Sequence, residues 1–582
     1  MKAQGSSGAP PSATRRRALG HERGWVALLL VIHVGLAVWG AVRSSVTFDE
    51  NFHLPAGVLI VARGELRVSV VNPPLVKALC GAAALAAGAR LPAEEALRNG
   101  EQGVVGESFM RRNADRYQRV FVAARLVIVA FSLLLGLVVW RVARRLHGPR
   151  GGVLALGFYA FMPEALAHAG LATMDVATAL GCLASVYAFW MFARSGRWGW
   201  WWMAAGAVAF AFLVRFTALL LGPMLLVIAI LEALRHRARR PARLWLGLLL
   251  LVPVVFLALD AGYLGGVSFA PLRDWRFLST AFQALQHRLP DLRLPLPDLW
   301  LLGMDRQAVD TGTVANPTFL LGHVIPLAVW YYFPLAFLFK WPLGFLGALL
   351  ARTGPAFARR RSAFTPRHRG AFLAVPVAFY LGGGMFLLSL NAGIRYMFPI
   401  MPVLCVWLGG IASARLLERL GGRRRLWLSL GVALAVLQAV ETGLAAPWYL
   451  SFFNWPSGGP GGGYMLVNDS NVDWGQGLIA LRDEQKRRGL GRIYLAYHGT
   501  TDPAIYGIDY IPYSGGAPGR ESDWLAVSSY YFVGLGQRMM TQHGRTPDRL
   551  YFDFRPLWGL RPEARLGGSI YLFPLRGAGL VR

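Results

Sequence analysis

About eleven apolar runs dictate what this chain can fold into. They fall at 25–42, 119–140, 151–168, 171–192, 199–214, 216–234, 244–263, 325–350, 371–390, 395–413 and 426–446. A membrane span needs roughly 20 predominantly apolar residues, and inside lipid every backbone polar group must find its partner within its own segment. The runs therefore predict helices, and the fold class is mostly α, polytopic in a bilayer. A chain of 582 residues that is 55% hydrophobic and only 16% charged is too apolar to be water-soluble at this size. Cys80, Cys182 and Cys405 fall in or beside the apolar runs, far apart, and read as packing residues with neither disulfide nor metal spacing.

Charge placement orients the helices. The net charge of +29 would point to nucleic acid in a soluble chain. Here the arginines cluster in RVARR at 141, ARSGR at 193, RHRARRPAR at 235, ARRR at 358 with RHR at 367, and ARLLERLGGRRR at 414, alternating with loops that lack such clusters. By the positive-inside rule the clustered loops and the N-terminal tail, 1–24, are cytoplasmic. The partner that the charge implies is a lipid bilayer, not nucleic acid. Residues 25–446 form the transmembrane domain, and its first large loop, 43–118, carries nine basic and eight acidic residues and lies outside. An odd number of spans puts 447–582 outside as well. Only four of the 60 basic residues are lysine.

The first loop opens with TFDENFHL, in which Asp49 and Glu50 stand where a span has just left the bilayer, one helical turn before His53. Carboxylates there are hydrated enough to ionise and close enough to meet a lipid-borne substrate, although an interfacial acidic cap fits the same position. Asn72, Pro73 and Pro74 force an extended turn, which brings Lys77 back towards the carboxylates. Asp175, in HAGLATMDVATAL, starts the fourth span, where the positive end of the helix dipole favours a carboxylate; capping alone would also explain it. Glu164 and His168 share an outer face one turn apart. Arg215 in LVRFTALL and Arg395 in NAGIRYMFPIMP are basic groups at outer ends, suited either to a phosphate or to lipid headgroups. Lys340, between Pro334 and Pro342, either faces a cavity in the membrane or snorkels to the cytoplasmic face.

Taken together, DE followed by NPPLxK, the PEALAHA to TMD run and the G-x-RY-x-x-P-x-x-P run resemble the protein O-mannosyltransferases and their bacterial relatives, of the glycosyltransferase family 39 or PMT-2 type. These are membrane glycosyltransferases of the GT-C fold that use polyprenyl-phosphate sugars, and the lipid A aminoarabinose transferases belong to the same superfamily. The resemblance runs from Thr47 to about Leu478 and departs at His323, where relatives commonly carry an acidic residue. It implies an inverting transferase on the outer face of a bacterial inner membrane, with an acceptor that the sequence does not name. Asp49 is expected as general base, with Glu50 or Asp175 holding the acceptor or stabilising the oxocarbenium-like centre. Lys77, Arg215, Arg395 and Lys340 are expected to bind the carrier phosphate. His53, His168 and Glu164 are substrate contacts or metal ligands, since the Asp49–His53 and Glu164–His168 pairs have ligand spacing; no metal dependence is expected of the mannosyltransferase branch.

From Pro447 the apolar runs shrink to strand length: YMLV, RIYLAY, DWLAVS, RLYFDF and SIYLF. With a polar amphipathic helix over 477–489 they predict a small extracytoplasmic α/β domain, beginning with a β-α-β unit and led in by a flexible SGGPGGG at 457–463. Asn471, Asp473, Trp474 and Gln476, between the first strand and its helix, occupy the crevice where α/β units bind ligands and are candidate sugar contacts; a helix cap over a buried tryptophan is the other reading. A rival function for the whole chain is a transporter or lipid flippase. Such proteins place ionisable groups on broken helices at mid-bilayer, whereas Asp49, Glu50, Asp175, Asp260 and Glu441 lie near outer helix ends.

Overall fold

The computed structural model describes residues 13–236, 241–312, 317–358, 370–515, 518–536 and 554–575. The Arg clusters at 235 and 358–369, and most of RLYFDF, fall outside these residues. All eleven apolar runs lie on helices, but fewer than eleven qualify as spans by themselves. Six helices are long and apolar enough: His21–Arg43, Tyr117–His147, Asp175–Ser195, Phe216–Leu234, Ala242–Gly262 and Ala414–Leu444. Two further runs are broken helices. Pro149–Ala160 and Pro163–Ala169 meet at 63°, and Tyr332–Lys340 and Leu343–Gly354 meet at 114°. Both breaks lie just before a proline, Pro163 and Pro342, where the residue ahead of the ring is pushed out of helical geometry. The three remaining runs hold Trp198–Phe212, Ala374–Phe386 and Ile400–Ala412. Each is shorter than its run because apolar residues such as the exposed Leu387 continue the run beyond the helix end.

The first span, α1 (Ala13–Arg43), leads through a short extended link into α2 (Glu50–Arg63). The NPP turn starts α3 (Pro74–Ala86), with Pro74 at the position where its missing N–H costs nothing. These two helices pack at backbone contact. A Cβ added to Gly57 would lie 1.9 Å from the Lys77 carbonyl oxygen, and one added to Gly81 would lie 2.2 Å from the Gly57 carbonyl carbon. Only glycine permits this approach, and it holds the Asp-Glu pair and the NPPLVK turn in one rigid unit. At the far end of α1, Glu22 accepts from Arg144 at 2.6 Å, so the N-terminal end of the first span and an Arg cluster share one face of the bundle. The first loop and the C-terminal region share the opposite face: Ser45 N–H donates to Gln476 O at 3.0 Å and Val46 N–H to the Tyr506 hydroxyl at 2.8 Å.

A two-stranded hairpin, β1 (Thr318–Leu320) and β2 (His323–Ile325), precedes the second broken helix and leaves His323 exposed. The C-terminal sheet contains β3 (Ile493–Ala496), β4 (Tyr510–Pro512), β5 (Trp524–Ser528), β6 (Ala564–Leu566) and β7 (Ile570–Pro574) in the order β4-β3-β5-β7-β6. The first three neighbours are parallel and the last two pairings antiparallel. Helix Leu478–Arg488 ends at Gly489 in the left-handed conformation, as the sequence predicts. Two expectations are corrected. YMLV is no strand: Gly463–Met465 is a 3-10 turn, and Val467 makes one isolated bridge, to Leu320. The glycine-rich lead-in is wound into helical turns, with Gly463 packed so tightly on Phe453 that a Cβ would overlap the ring. Pro447–Gln476 therefore caps the membrane helices, and one hydrophobic cluster continues from them into the sheet through Leu478, Ile493 and Leu572.

Candidate active site

Glu50, the first residue of α2, turns its carboxylate back on Thr47. Glu50 Oε2 accepts from the Thr47 N–H at 3.0 Å and from its hydroxyl at 2.9 Å. Arg125, eight residues into the span Tyr117–His147, donates to Glu50 Oε1 at 2.8 Å and Oε2 at 2.6 Å, and the Ala172 N–H donates to Oε1 at 2.8 Å. The remaining guanidinium N–H groups bond the carbonyls of Ala41, Ser44 and Ser45. Burial alone would raise the Glu50 carboxyl. The Arg125 charge and the donated N–H bonds outweigh burial and hold it below the usual carboxylate range. Glu50 is fully buried and saturated, which corrects its assignment as an acceptor or oxocarbenium contact. It ties α1, α2 and the loop before Asp175 together. Arg125 went unrecognised, although a lone arginine inside ARLVIVAF is the kind of charge in an apolar run that demands a partner.

Asp49, next in the chain, points the other way. It keeps a quarter of its surface and accepts from Arg395 Nη1 at 2.7 Å. The Arg395 guanidinium lies 4.1 Å over the Trp474 ring and 5.1 Å over Tyr396. Arg215 approaches the same tyrosine at 5.5 Å and donates to Asp175 Oδ1 at 2.5 Å. Two carboxylates from distant helices thus each hold one guanidinium, and both guanidinium groups border Tyr396. Among the described residues the buried Arg395 Nε has no hydrogen-bond partner. His53 lies within electrostatic reach of Asp49, Lys77, Arg395 and Arg215, and burial drives its imidazole down to about 4, so the ring is neutral. Four of the residues singled out in sequence are thereby brought together around His53.

Behind this front lies a buried row. His168 lies 3.6 Å from both Asp175 Oδ2 and Glu164 Oε2, and Glu164 Oε1 is 3.2 Å from Lys340 Nζ. Lys340 also donates to the carbonyls of Leu450 at 2.7 Å and Asn471 at 2.5 Å. Its ammonium is buried and has no donor left for a phosphate, which corrects the expectations of a phosphate contact and of snorkelling to a membrane face. It pins the bent helix Tyr332–Lys340 under the C-terminal cap. Lys77 is likewise buried and donates to Ser69 O at 2.6 Å and Val71 O at 3.2 Å, so its ammonium braces the NPP turn. Among the described residues no three His, Cys, Asp or Glu side chains are placed to hold a metal ion.

The loop Asn468–Gln476 covers the site from above. Asn471 Oδ1 takes the Ile394 N–H at 3.1 Å and its amide donates to the Tyr332 hydroxyl at 2.6 Å. Asp473 takes N–H bonds from Gly475 and Tyr530, and burial pushes its carboxyl up to about 7. Gln476 takes the Trp474 N–H at 2.8 Å and donates to Val472 O at 2.7 Å. Trp474 is buried beneath Arg395. None of these four side chains is free to meet a sugar, which corrects the expectation for all of them. The residue of this loop that faces the charged cluster is Asp469, which the sequence reading passed over.

Residues 117–259 match the family model described as dolichyl-phosphate-mannose-protein mannosyltransferase. The matched stretch runs from the start of the span Tyr117–His147 to near the end of Ala242–Gly262, about a quarter of the chain. No curated protein matches it. Among solved structures the chain is similar to ArnT from Cupriavidus metallidurans in the apo state, with 13% identity over 96% of this chain and 99% of that one and a TM-score of 0.46. ArnT bound to undecaprenyl phosphate matches at 14% identity over the same shares, with the same score. The Saccharomyces cerevisiae Pmt1-Pmt2 complex bound to the sugar donor matches at 10% identity over 73% of this chain and 90% of that one, with a TM-score of 0.49.

Proposed function

We propose that the enzyme moves a sugar from a polyprenyl-phosphate carrier to an acceptor hydroxyl on the outer face of a bacterial inner membrane. The observation that carries this reading is the pair of guanidinium groups at Tyr396, one with an unpartnered Nε, each held by a carboxylate at an outer helix end. A guanidinium presents a planar fork of donors that matches phosphate oxygens, and a buried unsatisfied donor asks for a ligand. On donor binding, Arg395 turns part of its fork from Asp49 to the carrier phosphate. That frees an Asp49 oxygen beside the sugar. The acceptor oxygen then bonds the anomeric carbon as its proton passes to Asp49, and the bond from that carbon to the phosphate oxygen breaks with its electron pair staying on the phosphate. Arg215 and Arg395 stabilise the charge that develops there. Asp175 and His168 fix Arg215, and Lys77 fixes the turn that borders the site.

Binding of undecaprenyl phosphate to the purified protein tests the phosphate site. Arg395→Ala is expected to weaken binding by about 10-fold or more, the scale of one lost charge-assisted bond of roughly 1.5–3 kcal/mol. Lys340→Met should leave affinity unchanged in whatever fraction remains folded. Equal affinity of the Arg395→Ala and wild-type proteins would remove Arg395 from the phosphate site.

A further inference from the structure

At the end of the bundle opposite the charged cluster, three helices leave an open apolar groove of about 790 Å³. Its walls are the first span, with Trp25 and Leu29, and the span Ala414–Leu444, with Val432 and Val436. The broken helix Pro149–Ala160 packs against both and forms the floor. Its glycines show which side is open. A Cβ on Gly151 would lie 2.7 Å from the Gly409 carbonyl oxygen and one on Gly152 2.9 Å from the Arg144 Cβ, whereas one on Gly157 would meet nothing within 4 Å. The lining rises about 18 Å from Pro149 to Phe161 and about 16 Å from Leu428 to Ala439, at 1.5 Å per helical residue. A bilayer's hydrocarbon core is about 30 Å thick, so the groove spans one leaflet. Its mouth is polar, lined by His21, Glu22, His147 and Arg150. Glu22 is buried and already taken, accepting from Arg144 at 2.6 Å and from Trp140 Nε1 at 3.2 Å. Arg150 and His21 are exposed and make no hydrogen bond or ion pair among the described residues.

We propose that this groove binds an anionic phospholipid, with one acyl chain laid along Pro149–Ala160 and the headgroup phosphate at Arg150 and His21. Within a bilayer an apolar recess is filled by hydrocarbon, and a seated chain gives its walls van der Waals contacts that a void would forfeit. The headgroup preference follows from the charges at the mouth. Glu22 is neutralised inside the protein, so the group turned outward is the Arg150 guanidinium, a planar fork that matches phosphate oxygens. Basic groups at a membrane surface favour anionic lipids for the same reason. The occupant is a lipid of the leaflet at the mouth, not the polyprenyl carrier. The groove ends at Phe161 and Ala439, one leaflet in, while Arg215 and Arg395 lie towards the other face. The floor helix continues through its 63° break into Pro163–Ala169, which carries Glu164 and His168. A chain seated in the groove therefore braces the helix that leads into the buried row.

The purified protein in detergent, titrated separately with dioleoyl phosphatidylglycerol and dioleoyl phosphatidylcholine, reports the groove through native mass spectra that resolve each bound lipid. Wild type is expected to hold the first phosphatidylglycerol about 5-fold more tightly than the first phosphatidylcholine, the scale of one basic group against an anionic headgroup. Arg150→Gln should erase that preference and leave phosphatidylcholine binding unchanged. Gly157→Phe, whose ring enters open space, should melt as wild type does and lose the first binding step of both lipids. Arg119→Gln removes an exposed arginine at the opposite end of the bundle and should keep the preference. Equal binding of the two lipids by wild type, a preference that survives Arg150→Gln, or an unchanged first step in folded Gly157→Phe would overturn the proposal. Arg150→Gln, at an exposed position, decides the matter even where Gly157→Phe is recovered poorly. Two other outcomes would overturn it by giving the groove to another occupant: loss of undecaprenyl phosphate binding in Gly157→Phe would assign it to the carrier's tail, and loss of a wild-type dimer in that variant would assign it to a second copy of the chain.

Discussion

Asp49 and Glu50 are adjacent and chemically alike, yet the fold gives them opposite work. Glu50 faces inward to Arg125 and closes a buried ion pair; Asp49 faces the charged cluster and pairs with Arg395. Which carboxylate turns inward depends on Arg125, 75 positions away, so no local pattern in the sequence could separate the two. The same holds for Lys340, whose acceptors at Leu450 and Asn471 are supplied by the C-terminal cap, and for Asn471, Asp473, Trp474 and Gln476, whose polar groups are consumed within the loop and its supports. Arg395 and Arg215 stood out in the sequence as basic groups beside apolar runs, and both lie largely buried against Asp49 and Asp175. The inward pair makes a prediction about stability. Arg125→Leu leaves the Glu50 carboxylate buried and uncompensated, and the protein in detergent is expected to lose about 3–5 kcal/mol of stability, the usual cost of breaking a buried pair from one side. A thermal melt matching wild type would show that Glu50 finds another partner.

At the level of elements, hydropathy located the helices, whereas their breaks were written in single residues. Pro163 and Pro342 split two runs that read as single spans, and the split places Glu164, His168 and Lys340 at bends where their side chains turn into the bundle. Strand assignment worked where a sequence had a partner to pair with, as in β3, β5 and β7. It failed at YMLV, since Val467 finds only Leu320. The α2–α3 unit is the clearest case of an element-level demand. Gly57 and Gly81 were not singled out in sequence, because a glycine in a helical run signals close approach only once its neighbour is known. Gly81→Val must push the helices apart against backbone that cannot yield, and overpacking of this kind costs about 1–3 kcal/mol or more. The expected outcome is poor recovery of folded protein, and donor binding reduced in what is recovered, because His53 and the Lys77 turn separate. Normal yield and binding would mean that the two helices tolerate a wider spacing.

On the scale of the whole molecule, charged residues of the described segments divide between the face that holds Glu22 and Arg144 and a set gathered at the opposite face. The opposite set draws on the first loop, four membrane helices and the C-terminal cap, none of which holds the site alone. This explains why the cap is packed onto the bundle through Ser45, Val46 and Lys340 instead of hanging from a linker. The account stands on the claim that this outer cluster cleaves a polyprenyl-phosphate sugar with Asp49 as base. The measurement that tests it most directly is sugar release by the purified protein from polyprenyl-phosphate mannose, glucose and aminoarabinose, for wild type beside Asp49→Asn. Wild type is expected to release sugar from at least one donor, and Asp49→Asn to turn over slower by roughly 100-fold or more with undecaprenyl phosphate binding retained. Release at the wild-type rate by Asp49→Asn, or no release from any of the three donors by a folded wild-type protein that binds undecaprenyl phosphate, would contradict it.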